Sequence, residues 1–322
     1  MDRKILLAIN AIVSIALVAI VLHLVGFSEV LGELAGVDIG LLLISMLFLL
    51  GMDMVMVYRI RMVLEEAGAR APFMGTLRSH FMGMLFADFT PSRTGYFATA
   101  AALRYNQGVP GDKALLSIFG PQIFDFAFKV ITGSLAILYI MMVFIGPEQG
   151  WVLIAGAFVI GSIIAVMLLT LFSKRFLALF SFVRKLPVLP RFYDVVVRMQ
   201  ESSHVIVKKT PHIIGLIMLS WTFKAFSWYF VAKSVGITVD TPFPEFLFYF
   251  FLQPLITMLE FVPSPTIAGL GLSEGGNTLV FSLFGIAPAK AALFALLARF
   301  KTTFVHLPAV PEAVRMHENV KL

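Results

Sequence analysis

The sequence predicts an all-α polytopic membrane protein: about six full spans plus two proline-broken re-entrant hairpins, arranged as inverted-topology repeats. Three observations carry that prediction. First, 59% of the 322 residues are hydrophobic and 14% charged, whereas a soluble domain is charged at about a quarter of its positions. Second, the apolar residues fall into runs of roughly 20, the length that crosses a bilayer as a helix. Third, Asp88-Phe89-Thr90-Pro91-Ser92 returns 172 residues later as Glu260-Phe261-Val262-Pro263-Ser264. A second block, Gly108-Val109-Pro110-Gly111-Asp112-Lys113-Ala114, returns as Gly285-Ile286-Ala287-Pro288-Ala289-Lys290-Ala291 at an offset of 177. Two blocks in the same order favour duplication over a chance likeness of helix ends. Transporters place their sites at such paired interruptions.

Residues 5–26, preceded by Asp2-Arg3-Lys4, read as an uncleaved first helix, because the run is long and no A-x-A site follows. The loop 28–38 holds Glu29, Glu33 and Asp38 without Lys or Arg, which suits the outer face. Residues 39–58 span back, and Arg59, Arg61 and Arg70 mark the inner face. The segment 72–105 is apolar but interrupted by Arg78, His80, Asp88, Arg93 and Arg104 around Pro91. Residues 112–145 exceed the ~20 needed to cross, so the first turns lie outside the core. After an outer loop at 146–150, residues 151–172 return inward.

The stretch 174–209 fixes the orientation. It holds eight basic residues against Asp194 and Glu201, so it is cytoplasmic. Its apolar residues, among them Phe176, Leu179 and Phe182, suggest a helix lying on the membrane surface. Residues 211–236 then span outward, and 289–310 return, leaving both termini in the cytoplasm. Parity requires 72–105 to enter and leave on the inner face and 244–284 on the outer face. The two hairpins are therefore inverted relative to each other. The chain reads as one integral membrane domain, 1–322, with repeat 1 at 39–173, an amphipathic linker at 174–209 and repeat 2 at 210–310.

Cysteine is absent, which excludes disulfides and thiolate chemistry. The net charge of +6 sits mostly in loops, where it sets topology rather than binding nucleic acid. No G-x-x-x-x-G-K-[ST] and no H-E-x-x-H occurs, so no ATP site, metal site, cofactor or catalytic residue is assigned. Gly271-Leu272-Ser273-Glu274-Gly275 matches G-x-S-x-G literally. That motif needs a strand before it, and a membrane hairpin precedes it here. The hydrolase reading, with His306 as base, is disfavoured.

Charged groups inside apolar runs are the candidates, because each costs roughly 2.5–3.5 kcal/mol to insert. Arg93, between Pro91 and Gly95, is fit to grip a phosphate or carboxylate. Arg104 divides evenly between that role and snorkelling to the cytoplasm. Asp125 and Lys129, four apart, are at least as well explained by an internal ion pair as by substrate contact. Asp53 has no local partner, and a protonated structural acid and a proton path carry equal weight. In the second half the breaks are Pro263, Pro265, Gly269 and Gly271, where glycine permits tight turns. Glu274 follows them, with Arg299 and Lys301 as counter-charges, while Lys224 reads as a snorkelling side chain.

Pro91-Ser92-Arg93-x-Gly95, then Arg104, Asp125, Pro263-Ser264-Pro265 leading to Gly271-x-x-Glu274, and Arg299 resemble the lysylphosphatidylglycerol synthase/flippase transmembrane family over essentially the whole chain. The chain departs from that pattern at Ser92 (usually Gly), Tyr96 (usually an acid), Gln122 (commonly Arg) and the extra residues 266–270. The resemblance implies movement of a phospholipid between leaflets. With the chain ending at Leu322 it implies a stand-alone membrane half without aminoacyl transfer. The leading expectation is a translocator of an anionic phospholipid or lipid-linked headgroup, binding through Arg93, Arg104, Asp125, Glu274 and Arg299, without ATP or nucleic acid. A homo-oligomer is compatible with it. The alternatives are a membrane enzyme or accessory protein acting on a polyprenyl-phosphate lipid, with Asp88 and Glu260 as an acid pair, and a lipid-binding scaffold.

Overall fold

The computed structural model describes residues 3–144, 162, 169, 173–179, 197, 203–261 and 266–321, and all regular structure among them is helical. The elements are α1 (Arg3–Val25), α2 (Phe27–Leu34), α3 (Ile39–Glu66), α4 (Phe73–Asp88), a 3-10 segment (Pro91–Phe97), α5 (Ala98–Gln107) and α6 (Gly111–Phe144). They continue as α7 (Lys174–Leu179), α8 (Ser203–Ser234), α9 (Glu245–Phe261), α10 (Leu272–Leu283), α11 (Pro288–His306), a 3-10 turn (Leu307–Ala309) and α12 (Val310–Lys321). Among the described residues, Ile39–Glu66, Gly111–Phe144, Val205–Ser234 and Pro288–Met316 are long and apolar enough to cross a membrane. A fifth span exists if α1 and α2 count as one broken helix. These spans make the chain a multi-pass membrane protein. The expected span at 151–172 and most of the linker at 174–209 lie outside the described residues.

Three sequence boundaries shift. The expected loop at 28–38 begins as α2, set at 84° to the preceding helix. Phe27, Leu31 and Leu34 recur at i, i+4 and i+7, and all three are exposed. The span expected to stop at residue 58 runs on to Glu66, which takes Arg59 out of the loop and buries it at 2% exposure. The helix expected from residue 211 starts at Ser203, with Pro211 inside it.

Local chemistry sets the ends. Asp38 caps α3, its Oδ1 accepting the Leu41 N–H at 3.0 Å. Gly108 (φ +68°) ends α5 and Gly285 (φ +76°) follows α10. In each case the next N–H turns back onto the helix, Val109 onto Leu103 and Ile286 onto Phe281, both at 3.0 Å. These glycines occupy matching places in the repeated block, so the second motif is the same helix stop built twice.

Lipid tails are as apolar as leucine, so helices in a bilayer associate by close packing rather than by escape from water. The α4–α5 hairpin depends on this. A Cβ on Gly83 would fall 1.8 Å from Thr99 Oγ1, and one on Gly95 would fall 2.3 Å from the Phe86 carbonyl. Aromatic rings fill the second half, with Phe281 and Phe294 edge to face at 4.9 Å. Helix α3 packs along α8, and α6 along α9. The pairings α3–α4, α4–α5 and α5–α6 recur as α8–α9, α9–α10 and α10–α11. Helix α12 is held to α5 by Glu312 (3% exposed), whose Oε1 accepts from Asn106 at 3.0 Å and Gln107 at 3.3 Å.

Candidate functional site

Each half contains a helix that breaks and restarts, and the two breaks touch. After α4 ends at Asp88, the Thr90 carbonyl accepts the Arg93 N–H at 3.2 Å and the Ala268 N–H at 3.1 Å. Arg93 (φ +54°) and Ala268 (φ +48°) are the non-glycine residues with left-handed backbone among those described. Such a conformation costs roughly 1–2 kcal/mol for a residue with a Cβ. Thr90 Oγ1 also accepts the Gly95 N–H at 2.6 Å. The expected break residues Pro263 and Pro265 lie outside the described residues. Gly269 (φ +68°) and Gly271 (φ +88°) make the turn into α10, and Ser14 of α1 steadies it by accepting the Ile267 N–H at 2.7 Å.

The charged side chains at the breaks are held by specific partners. Arg93 pairs with Asp88 at 2.9 Å, and Thr303 of α11 donates to the other Asp88 oxygen at 3.3 Å. Glu274 (2% exposed) reaches back to accept the Gly271 N–H at 2.6 Å, capping α10. Its Oε1 lies 2.5 Å from Arg299 Nε, and Arg299 Nη2 donates to Ser273 Oγ at 2.6 Å. Deeper on α6, Asp125 pairs with Lys129 at 2.7 Å and accepts the Trp221 indole N–H at 2.9 Å. Gln122, a point of departure from the expected motif, donates to the same carboxylate at 3.3 Å.

These groups line two cavities that share part of their walls. A polar one of about 50 Å³ lies among Asp88, Arg93, Ser273, Glu274, Arg299 and Lys301. A larger one of about 370 Å³ lies among Arg93, Tyr96, Gln122, Asp125, Lys129 and Trp221. Arg93 and Lys224 line both. Across the two, Arg93, Lys129, Lys224 and Arg299 face Asp88, Asp125 and Glu274, a surplus of basic groups that favours an anion; Lys301 turns to Ser227. Lys224 reads in sequence as a snorkelling residue, yet it lies 4.7 Å from the Trp221 ring and on the wall of both cavities.

Arg104 stands apart. It is exposed on α5, its guanidinium 5.3 Å from the Tyr105 ring, and it lines neither cavity. Asp88, half of the expected acid pair, is occupied by Arg93 and Thr303, and the Glu260 side chain lies outside the description. Among the described residues no group of three His, Cys, Asp or Glu side chains is placed to hold a metal ion. Asp53 acquires two partners that the sequence gives no hint of: His80 at 3.1 Å and His306 at 3.2 Å. They are 27 and 253 residues away, so no local pattern could find them. His306, the base considered for a hydrolase, therefore faces a carboxylate rather than Ser273.

The family model described as the lysylphosphatidylglycerol synthase TM region matches residues 7–309. Comparison with curated proteins returned no match.

Proposed function

Because the chain belongs to the lysylphosphatidylglycerol synthase transmembrane-region family, whose name ties it to membrane lipid, we propose that it is a lipid translocator. It moves an anionic phospholipid or lipid-linked headgroup between leaflets without ATP. The observation that carries this reading is the contact between Ala268 and Thr90, which joins the two breaks whose neighbouring charges, Asp88, Arg93, Glu274 and Arg299, line one cavity. Irregular backbone at membrane depth must be buried in protein or line a wet cavity, and Ala268 at this contact is fully buried. Arg93, Lys224 and Arg299 hold the phosphate in this reading, Glu274 positions Arg299, and the apolar part of the larger cavity accepts the first carbons of the tails.

The repeated helix pairings support two repeats, and the charge bias of the loops supports their inversion, with six spans and two re-entrant hairpins. Rocking of one repeat against the other then alternates the exposure of the site. The charge bias of the loops supports cytoplasmic termini in the cell membrane.

The test is leaflet exchange of fluorescent anionic and zwitterionic phospholipids in proteoliposomes. Wild type accelerates exchange of the anionic probe. Arg93→Ala and Glu274→Gln each slow it by at least about tenfold, equivalent to ~1.4 kcal/mol in the barrier. No exchange above empty liposomes, for any phospholipid or polyprenyl-phosphate probe, overturns the reading. Retained lipid binding without exchange in wild type would point to a scaffold instead.

A further inference from the structure

Asp53, His80 and His306 form a second polar cluster beside the cavities. All three side chains are fully buried and come from three different helices, α3, α4 and α11. One Asp53 oxygen faces His80 Nε2 and the other faces His306 Nε2. For the carboxylate to accept from both rings, both Nε2 atoms must carry hydrogen. Each ring is then neutral unless its Nδ1 is also protonated, and both Nδ1 atoms are buried with no hydrogen-bond partner among the described residues.

An ionised carboxylate taken out of water needs a compensating charge. One proton shared by this cluster would supply it, converting a neutral imidazole into an imidazolium and strengthening its contact with Asp53. Few other charges face the cluster. Arg59 of α3 and Tyr96 of the 3-10 segment lie close enough to interact with it electrostatically, with Asp125 of α6 beyond them. Arg78 of α4 is exposed. On α11, Lys301 turns to α8, where its Nζ donates to the Ser227 carbonyl at 2.9 Å.

The cluster is also placed to sense the cavities. Met56, Met84 and Thr302 line them, each three or four residues along the helix from Asp53, His80 and His306 respectively, which is one turn on the same face. Asp53 and His80 belong to the first half of the chain and His306 to the second. The Asp53–His306 contact therefore crosses the interface that rocking must rearrange.

We propose that Asp53, His80 and His306 form a proton-binding site and that the proton is the coupling ion for lipid movement. It is held while His306 faces Asp53 and released when the halves part. The coupling role rests on the translocator reading; proton binding does not.

The experiment has two independent readouts. In proteoliposomes carrying fluorescent phosphatidylglycerol, an imposed pH gradient shifts the steady-state leaflet ratio of the probe, and a protonophore abolishes the shift. In Asp53→Asn and in His306→Gln the ratio is the same with and without the gradient, whatever exchange rate remains. An unchanged ratio in wild type, or a full response in both variants, overturns the coupling. Separately, nitrogen NMR of 15N-histidine-labelled protein should show two of the six histidines titrating as a linked pair, with the linkage lost in Asp53→Asn. Two rings that keep one fixed protonation state across the pH range overturn the proton site. If wild type exchanges no lipid, the translocator reading falls and the histidine titration alone decides the site.

Discussion

The amide of Ala268 donates to the carbonyl of Thr90 at 3.1 Å, joining backbone to backbone two chain breaks that lie 178 residues apart in the sequence. This contact brings the charges of both breaks into one wall, so its chemistry is testable at several points.

Ala268 is fully buried with φ +48°. Ala268→Gly removes the left-handed strain of roughly 1–2 kcal/mol and gives back about 0.5–1 kcal/mol in chain entropy, so stability stays near wild type. Ala268→Val adds β-branching to a backbone that disfavours it and costs several kcal/mol. Thermal unfolding in detergent, followed by tryptophan fluorescence, distinguishes the pair. Equal melting temperatures for the two variants would refute the strain assignment.

Gly95→Ala should be among the most damaging single-methyl changes in the chain. Its Cβ would sit 2.3 Å from the Phe86 carbonyl carbon and oxygen, and overpacking against backbone costs typically 1–3 kcal/mol or more. Gly32 in α2 has nothing within 4 Å. Gly32→Ala is the control, neutral to stabilising by up to about 1 kcal/mol.

Asp125 and Lys129 test whether an intramembrane ion pair is energetically coupled. Their side chains are 12% and 5% exposed. Removing either partner leaves a buried charge and should cost about 3–5 kcal/mol. Asp125→Ala with Lys129→Met together should cost much less than the sum. Additive losses would show that the two do not act as a pair.

Trp221→Phe removes the indole N–H that reaches Asp125 at 2.9 Å together with part of the ring that packs on Phe128. Because Lys129 and Gln122 remain on the carboxylate, the hydrogen-bond part of the loss should be about 1.5–3 kcal/mol, the range for a hydrogen bond to a charged group, with a cavity cost added to it. A larger loss of exchange than of stability would place the indole in contact with the lipid.

Orientation is directly measurable because the chain has no cysteine to interfere. Single cysteines at Lys113 and Asp240 should react with an impermeant maleimide from opposite sides, the first only from the cytoplasm and the second only from outside. Labelling of both from one side would abolish the inverted-repeat parity.

What the sequence reveals about this molecule is what is written locally. The spans at 39–66, 111–144, 205–234 and 288–316 are legible from length and hydropathy, and the first break from a proline set against buried charge. The Glu274–Arg299 pair is legible because a lone acid beside glycines needs a cation on the next helix. Arg59 is misread because one residue after Tyr58 looks like a loop flank, and only packing against the first hairpin shows that it is inside. Helix α2 is missed although Phe27, Leu31 and Leu34 have helical spacing, since eight residues between two spans read as a connection. The partners of Asp53 leave no trace at all, because contact between distant helices is set by tertiary packing rather than by spacing.

The Asp53 cluster also imposes an order of events during synthesis. His80 leaves the ribosome 27 residues after Asp53, within seconds at roughly 5–20 residues per second. His306 follows Asp53 by 253 residues, an interval of roughly 13–50 s at that pace. For that time the carboxylate has one imidazole; Ala268 is made only 38 residues before His306, and Glu312 six residues after it. The first half must therefore wait in a provisional arrangement, and only helices made much later complete its polar contacts.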